Sequence, residues 1–232
     1  MCSGVYNQLL KTEKYAADNQ MELNYKKTKL MVFNPCRSLD FMPQFQLGGE
    51  QLIVAEELRL LGVVIRSDMK WASNTEYICK RASKKLWILR RLKCLGANSE
   101  QLLDIYGKQV RSLVEFAVPA WHGAITVVEK QDIERIQKVA LHIILGENYD
   151  NYLDALQLTK LEPLEKRRDK LCLKFARKAE KSEKFKMWFK AKPKIYTRQA
   201  DDKYWKAVAR TGRLQKSSVS YLTNLLNSFY KK

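Results

Sequence analysis

The chain has 232 residues, of which 46% are hydrophobic and 29% are charged. This hydrophobic content excludes a wholly disordered chain, and the length suffices for one large domain or two small ones. The formal net charge of +18 attracts polyanions, which favours nucleic acid over an anionic membrane as the partner, although a basic surface that only aids solubility would carry the same charge.

Strand patterns occur in the first seventy residues, after one predicted helix at residues 5–19. A short run of β-favouring residues predicts a strand at residues 29–33. Residues 45–54 predict a hairpin, because the paired glycines between its arms supply the positive φ angles of a tight turn. The apolar run at residues 58–65 has a core, residues 60–65, that is too apolar for a one-sided surface strand, which predicts a strand inside a sheet.

From residue 74 onward the apolar spacing is helical. Helices are predicted at residues 74–95, 99–118, 133–145, 152–158 and 164–181, with weaker stretches at 204–210 and 219–230. Strands followed only by helices predict an α+β fold. We expect a small antiparallel β-sheet remnant in residues 1–70, a mainly α-helical bundle in residues 71–148, and a basic helical connector and tail in residues 149–232.

The positive charge is concentrated toward the C-terminus. Residues 1–150 contain 21 Lys and Arg against 17 Asp and Glu, a net charge of +4. Residues 151–232 contain 22 against 8, a net charge of +14. The most basic helix in the first part is an exception, with seven Lys and Arg in residues 80–93 and no acid in residues 77–99.

One face of this predicted helix combines cations with an aromatic ring. At 100° per residue, the stripe consists of Lys80, Lys84, Trp87 and Arg91. Such a face can follow a phosphate backbone and pack on a sugar or base. The alternative is a solvated face with Trp87 packed against the following helix. The missing acids favour nucleic-acid contact, because ordinary surface helices carry acids for i,i+4 pairing.

The helix at residues 164–181 is a second basic element. We predict that Arg167, Lys170 and Lys174 contact nucleic acid, each contact contributing a salt slope of roughly −0.7 to −0.9. The alternative is a loosely ordered basic arm without a docking site, and this is the interpretation we prefer beyond residue 190. Trp121, Tyr106 and Phe116 are predicted to be core residues and not base-stacking ones.

Metal, disulfide and membrane patterns are weak. The five cysteines form no CxxC pair, and His122 and His142 lie far apart, so neither a zinc site nor a disulfide framework is predicted. The apolar runs fall short of the roughly 18–20 residues of a membrane span, and the N-terminus lacks a signal-peptide pattern. We therefore expect an intracellular protein, in nucleus or cytoplasm, without a membrane partner.

A series of short motifs runs through residues 5–190. They are Asn24-Tyr-Lys-Lys27-Thr28-Lys29, Leu61-Gly62-Val63, Asp68-Met-Lys-Trp71, Glu115-Phe-Ala-Val-Pro-Ala-Trp121, Glu134-Arg-Ile-Gln137, Tyr152-Leu-Asp-Ala-Leu156 and Leu164-Glu-Lys-Arg167-Arg168. In this order the chain resembles the end of the reverse transcriptase of non-LTR (LINE-type) retrotransposons. The resemblance implies that residues 1–70 are the last part of the palm and residues 71–148 a three-helix thumb.

The resemblance also implies where catalysis would occur. Nucleotidyl transfer requires two carboxylates that hold divalent metal, and in this family they lie on upstream palm strands, one of which carries Tyr-Ala-Asp-Asp. Tyr15-Ala16-Ala17-Asp18 mimics that tetrad, but it has one carboxylate and lies at the end of a predicted helix. We predict no catalytic or metal-binding residue in this chain, and Mg²⁺ only in a complete family enzyme.

Three further residues gain a role from the resemblance. It places Lys27 and Lys29 near the incoming triphosphate, whereas alternate lysines on a strand can equally face solvent, the interpretation that we favour for this chain alone. Gly62 resembles the residue of the primer-grip hairpin, where backbone approaches a primer end. A tight turn or bulge explains Gly62 equally well.

The predicted function is that of a reverse-transcriptase fragment that retains primer–template binding. Its partners would be RNA, DNA or an RNA–DNA hybrid, with no small-molecule substrate bound by this chain alone. A different class of function is also open, namely a repurposed basic helical RNA- or DNA-binding protein with no polymerase role. A third possibility is a piece of a longer, active enzyme.

Overall fold

The computed structural model of the chain describes residues 2–33, 45–192, 202–206 and 212–231. The fold is mixed α+β, with 64% of it helical and sheets of two strands each. The chain divides into two compact units, Met1–Lys70 and Trp71–Lys232. The α+β class expected from the sequence is therefore confirmed.

The described part of the first unit contains the helix α1 (Cys2–Asp18) and six short strands. The strands are β1 (Lys29–Leu30), β2 (Gln46–Leu47), β3 (Glu50–Gln51), β4 (Ile53–Val54), β5 (Glu57–Leu60) and β6 (Val63–Arg66). Two pairs, β2–β3 and β5–β6, are antiparallel. The third pair, β1–β4, is parallel, so an entirely antiparallel sheet was a wrong expectation. The long connection from β1 to β4 allows the chain to return in the same direction.

The predicted hairpin at residues 45–54 is confirmed in β2 and β3. Phe45, Leu47 and Leu52 form the buried centre of this unit. Gly48 has a φ of +59° and lies against the ring of Tyr25, so a side chain at this position would overlap the ring. Its backbone N–H donates to the carboxylate of Glu13 over 2.8 Å, which ties the turn to α1.

The apolar run at residues 58–65 is not one interior strand, as the sequence suggested. It folds into the β5–β6 hairpin, whose turn is Leu61-Gly62. Both turn residues have positive φ, +48° and +89°, as a two-residue type I′ turn requires. Leu61 is 88% exposed at the tip. Continuous hydrophobicity predicts burial on both faces, but the turn at Leu61-Gly62 reverses the chain within this run.

The second unit is helical. Its helices are α2 (Ala72–Cys94), α3 (Ser99–Ile105), α4 (Ser112–Val114), α5 (Val118–Trp121), α6 (Val127–Leu145), α7 (Tyr152–Thr159), α8 (Leu164–Ala179), α9 (Gly212–Gln215) and α10 (Ser218–Tyr230). A π-helical segment, Tyr106–Arg111, joins α3 to α4. Capping boxes begin α3 at Asn98 and α6 at Thr126. Gly96, with a φ of +87°, follows α2 at the predicted stop.

One hydrophobic core runs through the second unit from α2 to α10. It contains Leu89 of α2, Ile133 of α6, Cys172 of α8 and Leu226 of α10. The sequence predicts a boundary near residue 148 between the helical bundle and the C-terminal connector, but side chains from both of these segments share the core. Exclusion of water from these side chains is the main stabilising term.

Beyond residue 190 we expect a loosely ordered arm, and the described part of this segment differs from that expectation. Leu222 and Leu226 of α10 are buried against the rest of the unit. The helix predicted at 204–210 is wrong for its described part, because Tyr204 forms a β-bridge with Ala191. Residues 207–210 lie outside the described residues. Apolar residues of α10 recur at helical spacing, and a partner helix buries them.

The predicted aromatic core is confirmed for two residues of three. Trp121 and Tyr106 are buried, at 0% and 1% exposure. Phe116 is 51% exposed, so its assignment to the core was wrong. Phe116 lies in the turn between α4 and α5, where the helical path is interrupted and Ala117 has a left-handed φ of +50°. The Phe116 carbonyl, and not its ring, contacts the core by accepting a 3.0 Å hydrogen bond from Trp121 Nε1.

Candidate nucleic-acid interface

The outer face of α2 presents the predicted stripe to solvent. The inner face buries Ile78, Ala82, Leu86 and Leu89. On the opposite side the exposed stripe consists of Lys80, Lys84, Trp87 and Arg91. Trp87 is 64% exposed, so it does not pack against the following helix as one alternative required. The stripe spans about 16 Å, at about 1.5 Å per helical residue.

The cations of this face are not neutralised by neighbouring acids. In the described part of the chain, no ion pair involves Lys80, Lys84, Lys85, Arg90 or Arg91. Lys80 and Lys84 are four residues apart and therefore repel each other across one helical turn. A phosphate chain bound along this face would replace that repulsion with attraction. We call Lys80, Lys84, Trp87 and Arg91, which share one stripe, the α2 cationic face; Arg90 lies at its edge, and the half-buried Lys85 lies on the side of the buried residues.

The other two cations of α2 have structural partners. Lys93 Nζ donates to the carbonyl of Ile143 over 2.5 Å, close to the C-terminus of α6. A cation there satisfies free carbonyls and complements the helix dipole. Arg81 lies 5.4 Å from the ring centre of Tyr77, one turn earlier on the same helix.

The predicted contact residues of α8 have different surroundings. Arg167 pairs with the largely buried Glu115, and this hydrogen bond raises the pKa of Arg167. Lys170 pairs with Glu162. Lys174 is exposed and, within the described residues, makes no ion pair. The structure thus leaves one of these three cations free for a ligand without breaking an existing contact.

The outer side of α8 also forms an open groove of about 350 Å³. It is lined by Lys170, Leu173, Lys174, Arg177, Lys178 and Lys181. The guanidinium of Arg177 lies 4.5 Å from the ring centre of Phe229 on α10, which holds it by a cation–π contact. The groove is cationic, but part of its charge already contributes to packing.

A buried polar cluster behind α8 was missed by sequence reasoning. Arg168 has 0% exposure, and its Nε donates to Nδ1 of His122 over 3.1 Å. His122 Nε2 lies 2.8 Å from Oδ1 of Asp169, which also accepts from the hydroxyl of Tyr221 on α10. Among the described residues, Nη1 and Nη2 of Arg168 have no hydrogen-bond partner. The position of Arg168 on the inner face of α8 was the available clue, one residue from the exposed-side Arg167.

The protonation states in this cluster follow from its contacts. Because Arg168 donates to Nδ1, His122 is neutral and carries its proton on Nε2, which donates to Asp169. Burial lowers the pKa of His122 and outweighs the nearby carboxylate. Burial alone would raise the pKa of Asp169, but hydrogen bonds from His122 and Tyr221 lower it. The cluster holds α8, α10 and the segment after α5 together.

The remaining predicted residues lie in the first unit. Lys27 belongs to a 3₁₀ turn, Tyr25–Lys27, and not to the strand on which the sequence placed it. The side chain of Asn24 accepts from the backbone N–H of Lys27 over 3.0 Å and caps this turn. Lys29 begins β1 and, like Lys27, is exposed. Gly62 occupies the tip of the β5–β6 hairpin.

Comparison with protein families, with characterised proteins and with solved structures finds no match to this chain. The resemblance to retrotransposon reverse transcriptases therefore stays a prediction. The chemistry of this surface has to be argued from the residues themselves.

The described residues contain neither a metal-binding group nor a membrane-spanning helix. Over the described ranges, no group of three or more His, Cys, Asp and Glu side chains is arranged to hold a metal ion. Asp18 is the last residue of α1, the helix-end position expected for it. Within the same ranges, no helix combines the length and hydrophobicity that crossing a bilayer demands.

Proposed function

We propose that this chain binds the phosphate backbone of nucleic acid through the α2 cationic face, as the thumb-like part of a retrotransposon-type reverse transcriptase without its catalytic carboxylates. The observation that carries this proposal is a helix face on which three cations, unpaired among the described residues, surround an exposed tryptophan. The net charge of +18 adds a long-range attraction for polyanions.

The alternative of a merely solvated face explains this arrangement less well. Like charges four residues apart destabilise a helix by about 0.2–0.5 kcal/mol per pair. Exposure of a large aromatic side chain gives no stabilisation from burial. Both features become favourable when phosphates lie along the helix and a base or sugar covers Trp87.

The direct test neutralises Lys80, Lys84 and Arg91 together, each to Gln. Each cation that engages a phosphate contributes roughly 0.7–0.9 to the salt slope, so the triple variant should reduce that slope by about 2–3. Affinity for a primer–template should fall at low salt and by the same factor at every sequence tested, because phosphate contacts carry no sequence information. Binding isotherms over a range of salt concentrations give both quantities.

A matched control removes the same charge elsewhere. Lys11, Lys14 and Lys26 are exposed in the first unit, and their triple change to Gln should leave the salt slope nearly unchanged. Equal losses in the two variants would mean that net charge alone attracts the polyanion. In that case the α2 cationic face would have no special role.

A second candidate function is a free-standing RNA- or DNA-binding protein without a polymerase role. The observation that favours it is the continuous core of Trp71–Lys232, which includes α10 and makes this unit compact by itself. A fragment of a polymerase should prefer a primer–template junction to a blunt duplex of equal length, whereas the free-standing binder should not. Neither should extend a primer, and primer extension with Mg²⁺ and nucleotides would contradict the lack of catalytic carboxylates.

A further inference from the structure

A small pocket near the C-terminus has a chemistry unlike that of the α2 cationic face. It has a volume of about 180 Å³ and lies between residues 188, 205–206 and the α9–α10 region. Its lining includes two tryptophans, two amide side chains and one lysine: Trp188, Trp205, Gln215, Asn224 and Lys206. Pockets for drug-sized ligands measure roughly 300–1,000 Å³, so this one has room for a single planar ring system.

The backbone explains why Trp205 faces outward, whereas Trp188 is the last residue of a 3₁₀ turn, Lys186–Trp188. Residues 190–192 pair with residues 203–205 through two hydrogen bonds: Trp205 N donates to Lys190 O over 2.9 Å, and Lys192 N donates to Lys203 O over 3.0 Å. Phe189 and Tyr204, the sequence neighbours of the two tryptophans, are buried at 5% and 8% exposure, with ring centres 5.8 Å apart. Because successive side chains in extended backbone point to opposite sides, the buried Tyr204 directs Trp205 outward.

Both indoles are partly exposed at the surface. Trp188 is 38% exposed and Trp205 is 51% exposed. The ring of Trp188 is supported by Phe185, with ring centres 4.8 Å apart, which fixes its orientation. A pair of ordered, partly exposed indoles beside a pocket offers stacking surfaces to a flat ligand.

The polar groups of the pocket suit the edge of a base better than a phosphate. Gln215 and Asn224 are exposed and, within the described residues, form no hydrogen bond. An amide presents a donor and an acceptor side by side, the pattern that pairs with the edge of adenine. The cation, Lys206, is already paired with Asp202 at 3.1 Å.

We propose that this pocket binds one unstacked nucleobase of a single-stranded nucleic acid, with the base stacked on Trp188 or Trp205 and its edge bonded to Gln215 and Asn224. This site goes beyond backbone binding by α2, because it recognises the base and involves none of the same residues. Single-stranded nucleic acids are commonly held in this way, by a cationic track for the backbone and aromatic rings for the bases.

The experiment compares two ligands that have the same number of phosphates. The full chain is titrated with a short fluorescent oligodeoxyadenylate and with an abasic oligomer of the same length. The base-containing ligand should bind about ten-fold more tightly, within the range that loss of one base–aromatic stack produces. In the double variant Trp188→Ala and Trp205→Ala this preference should fall to the part that stacking on Trp87 supplies, while affinity for the abasic ligand stays unchanged.

Further variants keep the test decisive if the double alanine variant unfolds. Trp188→Phe and Trp205→Phe retain a ring and should retain most of the preference. Gln215→Ala with Asn224→Ala changes exposed side chains and should reduce the preference for oligodeoxyadenylate. Thermal unfolding of each variant checks its fold.

The outcomes separate this proposal from the binding of phosphate by α2. The triple change of Lys80, Lys84 and Arg91 should weaken the binding of both ligands by the same factor. If it does not, only the proposal of phosphate binding by α2 is contradicted. The nucleobase proposal is overturned if the unsubstituted chain binds the oligodeoxyadenylate and the abasic oligomer with equal affinity. The proposal is also overturned if the double tryptophan variant keeps the full preference and Trp87→Ala alone abolishes it.

Discussion

The outer faces of α2 and α8 have similar compositions but different surroundings. The cations of the α2 face are unpaired within the described part of the chain, and its tryptophan is exposed. On α8, Arg167 and Lys170 are paired with carboxylates, and Arg177 lies over Phe229. Of these two basic helices, α2 therefore presents a surface that is available for a ligand. The cations of α8 mainly stabilise the fold.

The difference comes from what packs around each helix. The inner face of α2 packs on α6, while its outer face is uncovered. The helix α8 packs against α10. In its first half, Arg167 pairs with Glu115 and Lys170 pairs with Glu162. Charge density along a sequence does not separate these two cases, because Glu115, the partner of Arg167, is 52 residues away in the chain.

The largest effect that we expect concerns Arg168. Arg168→Ala should lower the free energy of unfolding by about 3 kcal/mol, because it leaves a cavity beside Trp121 and removes the partner of His122 Nδ1. Lys174→Ala, on the exposed side of the same helix, should change it by less than about 0.5 kcal/mol. Urea denaturation measures both. Equal effects would show that Arg168 contributes little to packing.

The second effect contrasts one arginine from each helix. Arg167→Gln should lower the free energy of unfolding by about 1 kcal/mol, since it breaks the partly buried pair with Glu115, while Arg111 remains 3.4 Å from that carboxylate. It should hardly change the salt slope of binding. Arg91→Gln should do the opposite, reducing the slope by roughly 0.7–0.9 without loss of stability. If Arg167→Gln reduced the slope equally, the distinction between the helices would fail.

The third effect isolates the aromatic part of the α2 cationic face. Trp87→Ala should weaken binding of single-stranded nucleic acid by about 1 kcal/mol, because one stacking surface is lost. Thermal stability should not change, since the side chain is 64% exposed. Trp87→Phe should recover part of the affinity. A destabilised Trp87→Ala variant would indicate that the ring packs on the protein instead.

The smallest effect is a dependence of stability on pH through His122. Burial lowers the pKa of this histidine in the fold, so the unfolded chain takes up a proton first as the pH falls below the ordinary value of 6.5. Stability from the neutral histidine is thus complete above that pH and declines below it. His122→Asn should flatten the melting temperature between neutral and mildly acidic pH. His142→Gln, at an exposed position, is the control.

Much of the helical architecture was determined by local sequence. The apolar spacing of residues 78–89 predicted the buried face of α2, and glycines at positions 48, 49 and 96 marked turns that need positive φ. These features depend on neighbours within a few residues, so they can be read in one dimension. The exposure of Trp87 followed from the same periodicity.

Only the tertiary structure decided which cations are free and which aromatic residues are exposed. Arg168 reads as one more charge of a basic helix, yet it is fully buried beside His122. The uniform hydrophobicity of residues 60–65 did not indicate the β5–β6 hairpin, and the outward position of Trp205 depends on pairing with residues 190–192. Burial and pairing are properties of residues brought together by folding, and the order of residues along the chain does not contain them directly.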